Sequence, residues 1–137
     1  MKSVYFSSLL LSGLLLAACA KNETSPRDPL LGRWQITETV DTDYTASGQI
    51  TQEKKTTYAR GSSVEITATE FEFYTGSNLD SRTKYTRDDK ILHFGTSSKP
   101  ETYSTIKELT AYRLVLTNPR AGATGPYPAT TSLVYSR

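Results

Sequence analysis

One cysteine, one histidine, one tryptophan and one methionine occur among the 137 residues. A single thiol permits no intramolecular disulfide, so the fold has to stand on its packed core. With His93 the sole imidazole and Cys19 the sole thiol, the Cys/His ligand sets of zinc sites cannot be assembled. Any metal would rest on carboxylates and carbonyls. Asp41 and Asp43 could open a calcium loop, but the glycine and closing glutamate of that pattern are missing. No Gly-x-Ser-x-Gly or comparable nucleophile setting is present. His93, between Leu92 and Phe94, reads as a hydrogen-bonded strand residue rather than a base. Lys and Arg total 16 against 14 Asp and Glu. That balance gives neither the basic surplus of a nucleic-acid binder nor an acidic tail. No cofactor, metal, nucleic-acid partner or enzymatic activity is expected.

Long hydrophobic runs are missing too. The one apolar stretch, Leu9 to Ala18, is interrupted by Ser12 and Gly13. It falls short of the ~20 residues needed to cross a bilayer. Preceded by Lys2, it has the form of a secretory signal. It ends in Leu16-Ala17-Ala18-Cys19, which resembles the lipobox of bacterial lipoproteins. That resemblance implies removal of residues 1–18 and a diacylglycerol on the Cys19 thiol. An odd cysteine in an exported chain asks for such an explanation. The expected location is the bacterial cell envelope, lipid-anchored at the outer membrane, with membrane lipid as the partner of acylated Cys19. Residues 19–29 are polar, carry two prolines, and read as a tether. Residues 30–137 remain as one domain, large enough for a core without staples.

From Leu31 onwards Thr and Tyr are abundant, polar and apolar residues alternate, and no stretch has a helical period. Strands are predicted over 33–40, with Trp34, Ile36 and Val40 sharing one face with Glu38, and over 50–58, an edge strand by its Glu53-Lys54-Lys55 run. Between Ser63 and Tyr74 the apolar parity changes from Val64, Ile66 and Ala68 to Phe71 and Phe73. That predicts two strands joined by a tight turn at Thr69-Glu70. Further strands are expected over 81–87 and 90–94, flanking a turn at Asp88-Asp89. The last are expected over 102–108, 112–117 and 130–136. Two longer links, 41–48 and 118–128, interrupt the rhythm. Eight or nine short strands joined by hairpins imply an all-β fold, either an antiparallel up-and-down barrel of about eight strands or an open β-sandwich.

Leu31-Gly32-Arg33-Trp34 contains a Gly-x-Trp at the start of the first strand, which resembles the lipocalin signature. Tyr103 to Leu116 (YSTIKELTAYRLVL) is similar to the paired late strands of lipocalin-like lipoproteins of Bacteroidetes. The resemblance implies a barrel closed at one end by Trp34. Nothing after Thr130 looks like the C-terminal helix of a full lipocalin, which favours a reduced, eight-stranded version.

Two functions fit such a domain. One is a carrier of a small apolar ligand; the other is an envelope structural protein with a filled barrel that docks on a protein partner through its loops. A cavity above ~300 Å³ would favour the first. Candidate ligand-binding residues are Trp34, Phe71 and Phe73 on the inward face, together with Tyr112 and Tyr127. Tyr127 is held between Pro126 and Pro128 in the loop before the last strand. The alternating carboxylates Glu38, Glu65, Glu70, Glu72 and Glu108 read as a solvated outer face rather than a glycosidase pair.

Overall fold

The computed structural model describes residues 27–95 and 102–137. The signal segment, Cys19 and the tether up to residue 26 lie outside the described residues, as does the link 96–101. Nine strands and no helix occur among the described residues: β1 (Gly32–Tyr44), β2 (Ile50–Thr57), β3 (Ser62–Ile66), β4 (Glu70–Thr75), β5 (Asn78–Asp88), β6 (Ile91–Phe94), β7 (Thr102–Leu109), β8 (Arg113–Pro119) and β9 (Thr130–Ser136). All pairings are antiparallel, and β9 returns to pair with β1. That pairing excludes the open sandwich. The result is a closed, eight-stranded up-and-down barrel with β2 as an additional strand, compatible with a lipocalin-like fold.

β1 organises the closure. Its first residues, Gly32 to Gln35, pair with β3 on one side, while Glu38 to Tyr44 pair with β2 on that same side. Its other edge pairs with β9. Between Ile36 and Glu38 the β1–β9 register shifts, leaving Thr37 as the extra residue. A bulge reverses which face the following residues occupy. Trp34 and Ile36 therefore point inward, as expected, but Glu38 and Val40 are turned onto the opposite face. The expected link 41–48 is also corrected. β1 continues through Tyr44 because β9 pairs it as far as Thr42 and β2 as far as Tyr44, and only residues 45–49 form the turn. β2 has no neighbour beyond β1, and all eight of its residues are exposed. Its charged run keeps that free edge from templating further strands.

Two predicted turns move slightly. The β3–β4 turn is closed by the Thr67 N–H donating to the Glu70 carbonyl at 2.9 Å, so its centre is Ala68-Thr69 rather than Thr69-Glu70. The Thr67 hydroxyl accepts from the Glu70 N–H at 3.0 Å and fixes the bend. The β5–β6 turn is centred on Asp89-Lys90, one residue beyond the expected pair, with Asp89 at φ +48°. Aspartate tolerates that left-handed conformation better than most residues.

Inside the barrel the side chains form two levels. The lower level is solid: Leu30, Trp34, Ile66, Leu92 and Leu114 have almost no exposed surface, and Ile106 is nearly as buried. Outside, the wall carries charge and hydroxyls. Arg82 meets Glu72 at 3.1 Å, and Arg113 meets Glu108 at 2.9 Å. An apolar interior behind a charged exterior is the reverse of a lipid-facing barrel.

Candidate functional site

The closed end is sealed by one stacked arrangement. Trp34 is completely buried, and its indole N–H donates to the Leu30 carbonyl at 2.9 Å. The Arg137 guanidinium covers the ring at 3.8 Å from its centroid. The same guanidinium donates to the carbonyls of Pro29 and Leu31 at 3.0 and 2.6 Å. Arg137 thus ties the end of the last strand to the segment that leads into the first. Asp28 adds an ion pair with Arg87 at 2.9 Å. The chain entering the domain is therefore fixed at the sealed end.

At the opposite end the interior stays open. A cavity of about 590 Å³ is lined by Phe71, Phe73, Phe94, Leu116, Leu133 and Tyr135, with Thr83 and Ser104 on its walls. The strand period dictates this composition. Alternate residues of β4, β8 and β9 face inward, and at this level those residues, Phe71, Phe73, Leu116, Leu133 and Tyr135, are large and apolar. Phe71 anchors the aromatic wall, edge-on to Tyr85 at 4.9 Å and to Phe94 at 5.1 Å between centroids. Edge-to-face contacts of this kind favour a fixed ring geometry. A second depression of about 690 Å³ runs beside β1 between Gln35, Tyr58, Arg60 and Ser136, but its lining mixes polar and apolar groups and lacks the clustered phenylalanines.

The rim is polar. Asn118, Pro119 and Arg120 line the mouth from β8 and the residue after it. Arg120 pairs with Asp43 at 3.0 Å, and the Thr131 hydroxyl donates to Asp41 at 2.5 Å. The two aspartates that suggested a calcium loop are thus each bound by a donor from the β8–β9 side. Asn118 Oδ1 is fully enclosed without a hydrogen-bond partner among the described residues. Burial pushes the Tyr135 phenol above its ordinary range, and burial does the same for Tyr85, with a further contribution from Asp28. Tyr85 lies just below the cavity and donates to the Thr67 carbonyl at 2.8 Å.

The sequence-predicted residues divide three ways. Phe71 and Phe73 come together on the cavity wall. Trp34 lies beneath, as part of the seal rather than the lining. Neither Tyr112 nor Tyr127 is part of the lining: Tyr112 is 75% exposed in the β7–β8 turn at the sealed end, where its carbonyl accepts from the Arg137 N–H. Tyr127 is half exposed and lays its ring against Gly48 in the β1–β2 turn. Arg137, Asn118 and Arg120 were missed. Their signal was parity, since Arg137 continues the inward series Leu133, Tyr135, and Asn118 and Arg120 continue Leu114, Leu116. No family model matches the chain, and neither does any curated protein or solved structure.

Proposed function

We propose that this chain is a lipocalin-like envelope lipoprotein that carries one small, largely apolar ligand inside its barrel. The observation that carries the reading is the cavity of about 590 Å³ above the Trp34 seal. Its volume lies within the ~300–1,000 Å³ range of pockets that hold one small molecule. Its aromatic and aliphatic wall suits an apolar body, and a barrel filled with side chains would have left no such space. The signal peptide, the lipid on Cys19 and the outer-membrane location belong to this proposal and rest on the lipobox resemblance. A radiolabelled palmitate chase checks them: label is expected on the wild-type chain and lost in Cys19→Ala.

Native mass spectrometry tests the carrier reading. The protein is released gently from its own host's envelope and compared with a soluble mature chain, residues 19–137 with Cys19→Ser. A reproducible added mass of a few hundred daltons on the host-derived protein, beyond the lipid anchor, supports a carrier. An unliganded barrel in both preparations, with no uptake of apolar probes, would refute it.

A further inference from the structure

The carrier reading leaves the ligand's polar chemistry open, and the floor of the cavity narrows it. Tyr135 sits on β9 between Leu114 of β8 and Ile36 of β1, with only 1% of its surface exposed. It lines the cavity, and its hydroxyl makes no hydrogen bond to another described residue. Unlike Asn118 Oδ1, it is not a sealed atom, so the small surface it keeps opens on the cavity. Buried tyrosine hydroxyls ordinarily find a partner, and a phenol left without one has been desolvated for no return. Just below, Tyr85 shows the ordinary arrangement, with its hydroxyl on a carbonyl at 2.8 Å.

We infer that the ligand is a neutral, mainly apolar molecule that places one hydroxyl or carbonyl oxygen against the Tyr135 hydroxyl at the cavity floor. This rests on the carrier reading above. Two further observations exclude a charged head group in that position. The only cation lining the cavity among the described residues is Arg120, which stands at the rim and is already paired with Asp43 at 3.0 Å. A carboxylate or phosphate at the floor would be stripped of water and met by a single phenol, which cannot offset its desolvation. Burial also keeps the phenol protonated, so it offers one donor and one acceptor to a neutral partner. Ser104, nearly buried on β7, and Thr83 on β5 add hydroxyls to the side walls but no charge.

The test uses the soluble mature chain described above and the neutral dye N-phenyl-1-naphthylamine, whose fluorescence rises in apolar surroundings. Displacement is measured with 2-nonanone, with nonane and with nonanoate, in wild type and in Tyr135→Phe. The ratio of the ketone and alkane displacement constants is compared between the two proteins, so the probes' own solubilities cancel. The expected result is a roughly tenfold fall of that ratio in Tyr135→Phe, the scale of one buried hydrogen bond. Melting temperature should stay near wild type, since the ring and its packing are kept, and taking the ratio within each protein removes any change in the dye's own affinity. Nonanoate should displace the dye more weakly than the ketone at neutral pH. A ratio unchanged by Tyr135→Phe overturns the assignment of the floor while leaving the carrier reading intact. Nonanoate displacing as well as the ketone overturns the neutral-ligand claim. Failure of the folded wild type to bind the dye or any probe overturns the carrier reading, and this inference with it.

Discussion

Replacing Arg137 should cost this small domain a measurable share of its stability, although the residue sits on the surface. Its guanidinium makes a stack on Trp34 at 3.8 Å and two hydrogen bonds to the carbonyls of Pro29 and Leu31. The stack is worth about 0.5–1 kcal/mol at an exposed position. Each charge-assisted bond to a carbonyl would be worth up to ~1.5–3 kcal/mol if buried. Solvent on the outer side of the guanidinium brings that to roughly 1 kcal/mol each. The sum is about 2–3 kcal/mol. At roughly 4 °C per kcal/mol for a domain of this size, Arg137→Ala should melt about 8–12 °C below wild type. Arg137→Lys is the sharper variant, because it keeps the charge and loses the planar fork that stacks and bonds at once. It should recover less than half of the loss. Thermal melts followed by far-UV circular dichroism on the soluble mature chain give the comparison. If Arg137→Lys melts within about 2 °C of wild type, the fork is not what holds the seal, and the attribution to stacking and carbonyl binding is wrong.

Gly48→Ala should destabilise by about 1–2 kcal/mol, because φ there is +84° and a Cβ would come within 2.8 Å of the Tyr127 ring. In a Tyr127→Ala background the steric part should vanish and only the backbone part remain, which a double-mutant cycle of melts would show. Phe73→Trp should extend a ring into the cavity and weaken dye binding by roughly tenfold, about 1.4 kcal/mol, without lowering the melting temperature. The raised phenols of Tyr135 and Tyr85 set the alkaline limit. A group whose folded pKa exceeds its unfolded value contributes stability that is complete below the unfolded value, about 10 for tyrosine. That contribution declines as pH rises from there through the folded value, because the unfolded chain releases its protons first. Melting temperature should therefore fall above about pH 10, and Tyr135→Phe should reduce the slope of that fall.

The barrel was legible in the sequence wherever alternation was unbroken. β9 runs over the predicted 130–136, and β7 and β8 differ from their predicted spans by no more than two residues at any end. In β8 and β9 the alternating pairs Leu114 and Leu116, and Leu133 and Tyr135, are a direct record of inside and outside, while β7 was located by its turn-flanked length despite the bulge after Ile106. β1 was only half legible. Its bulge at Thr37 exchanges the two faces midway, so Val40 looked like a core residue and Asp41-Thr42-Asp43 looked like a loop. The aspartates are tolerated in a strand because Thr131 and Arg120 bind them. The cavity could not be read at all. Phe71, Phe73, Leu116 and Leu133 would be equally apolar in a filled barrel, and the free volume depends on how far their side chains reach across it. Tyr127 stands in a loop, where no alternation shows which surface a ring serves, and Tyr112 reads as the start of the 112–117 strand, whereas β8 begins at Arg113 and leaves Tyr112 in the turn.

The two ends of this barrel differ in chemistry, and the difference bears on how a lipid-anchored carrier would work. Arg27 to Leu31 enter at the sealed end, where Asp28 meets Arg87 and Arg137 grips Pro29 and Leu31. Seven residues separate Cys19 from Arg27, so the eight Cα steps reach at most ~28 Å when fully extended. An anchor on Cys19 would keep the sealed end near the bilayer and leave the mouth at the far end. Among the described residues the rim carries Asn118, Arg120 and Asp43 beside the half-exposed ring of Tyr103, and with this anchoring it would face away from the bilayer. A ligand would then exchange through water or through a second protein rather than directly from the membrane. A neutral molecule with one buried oxygen suits that route, because it is soluble enough to leave and apolar enough to be held.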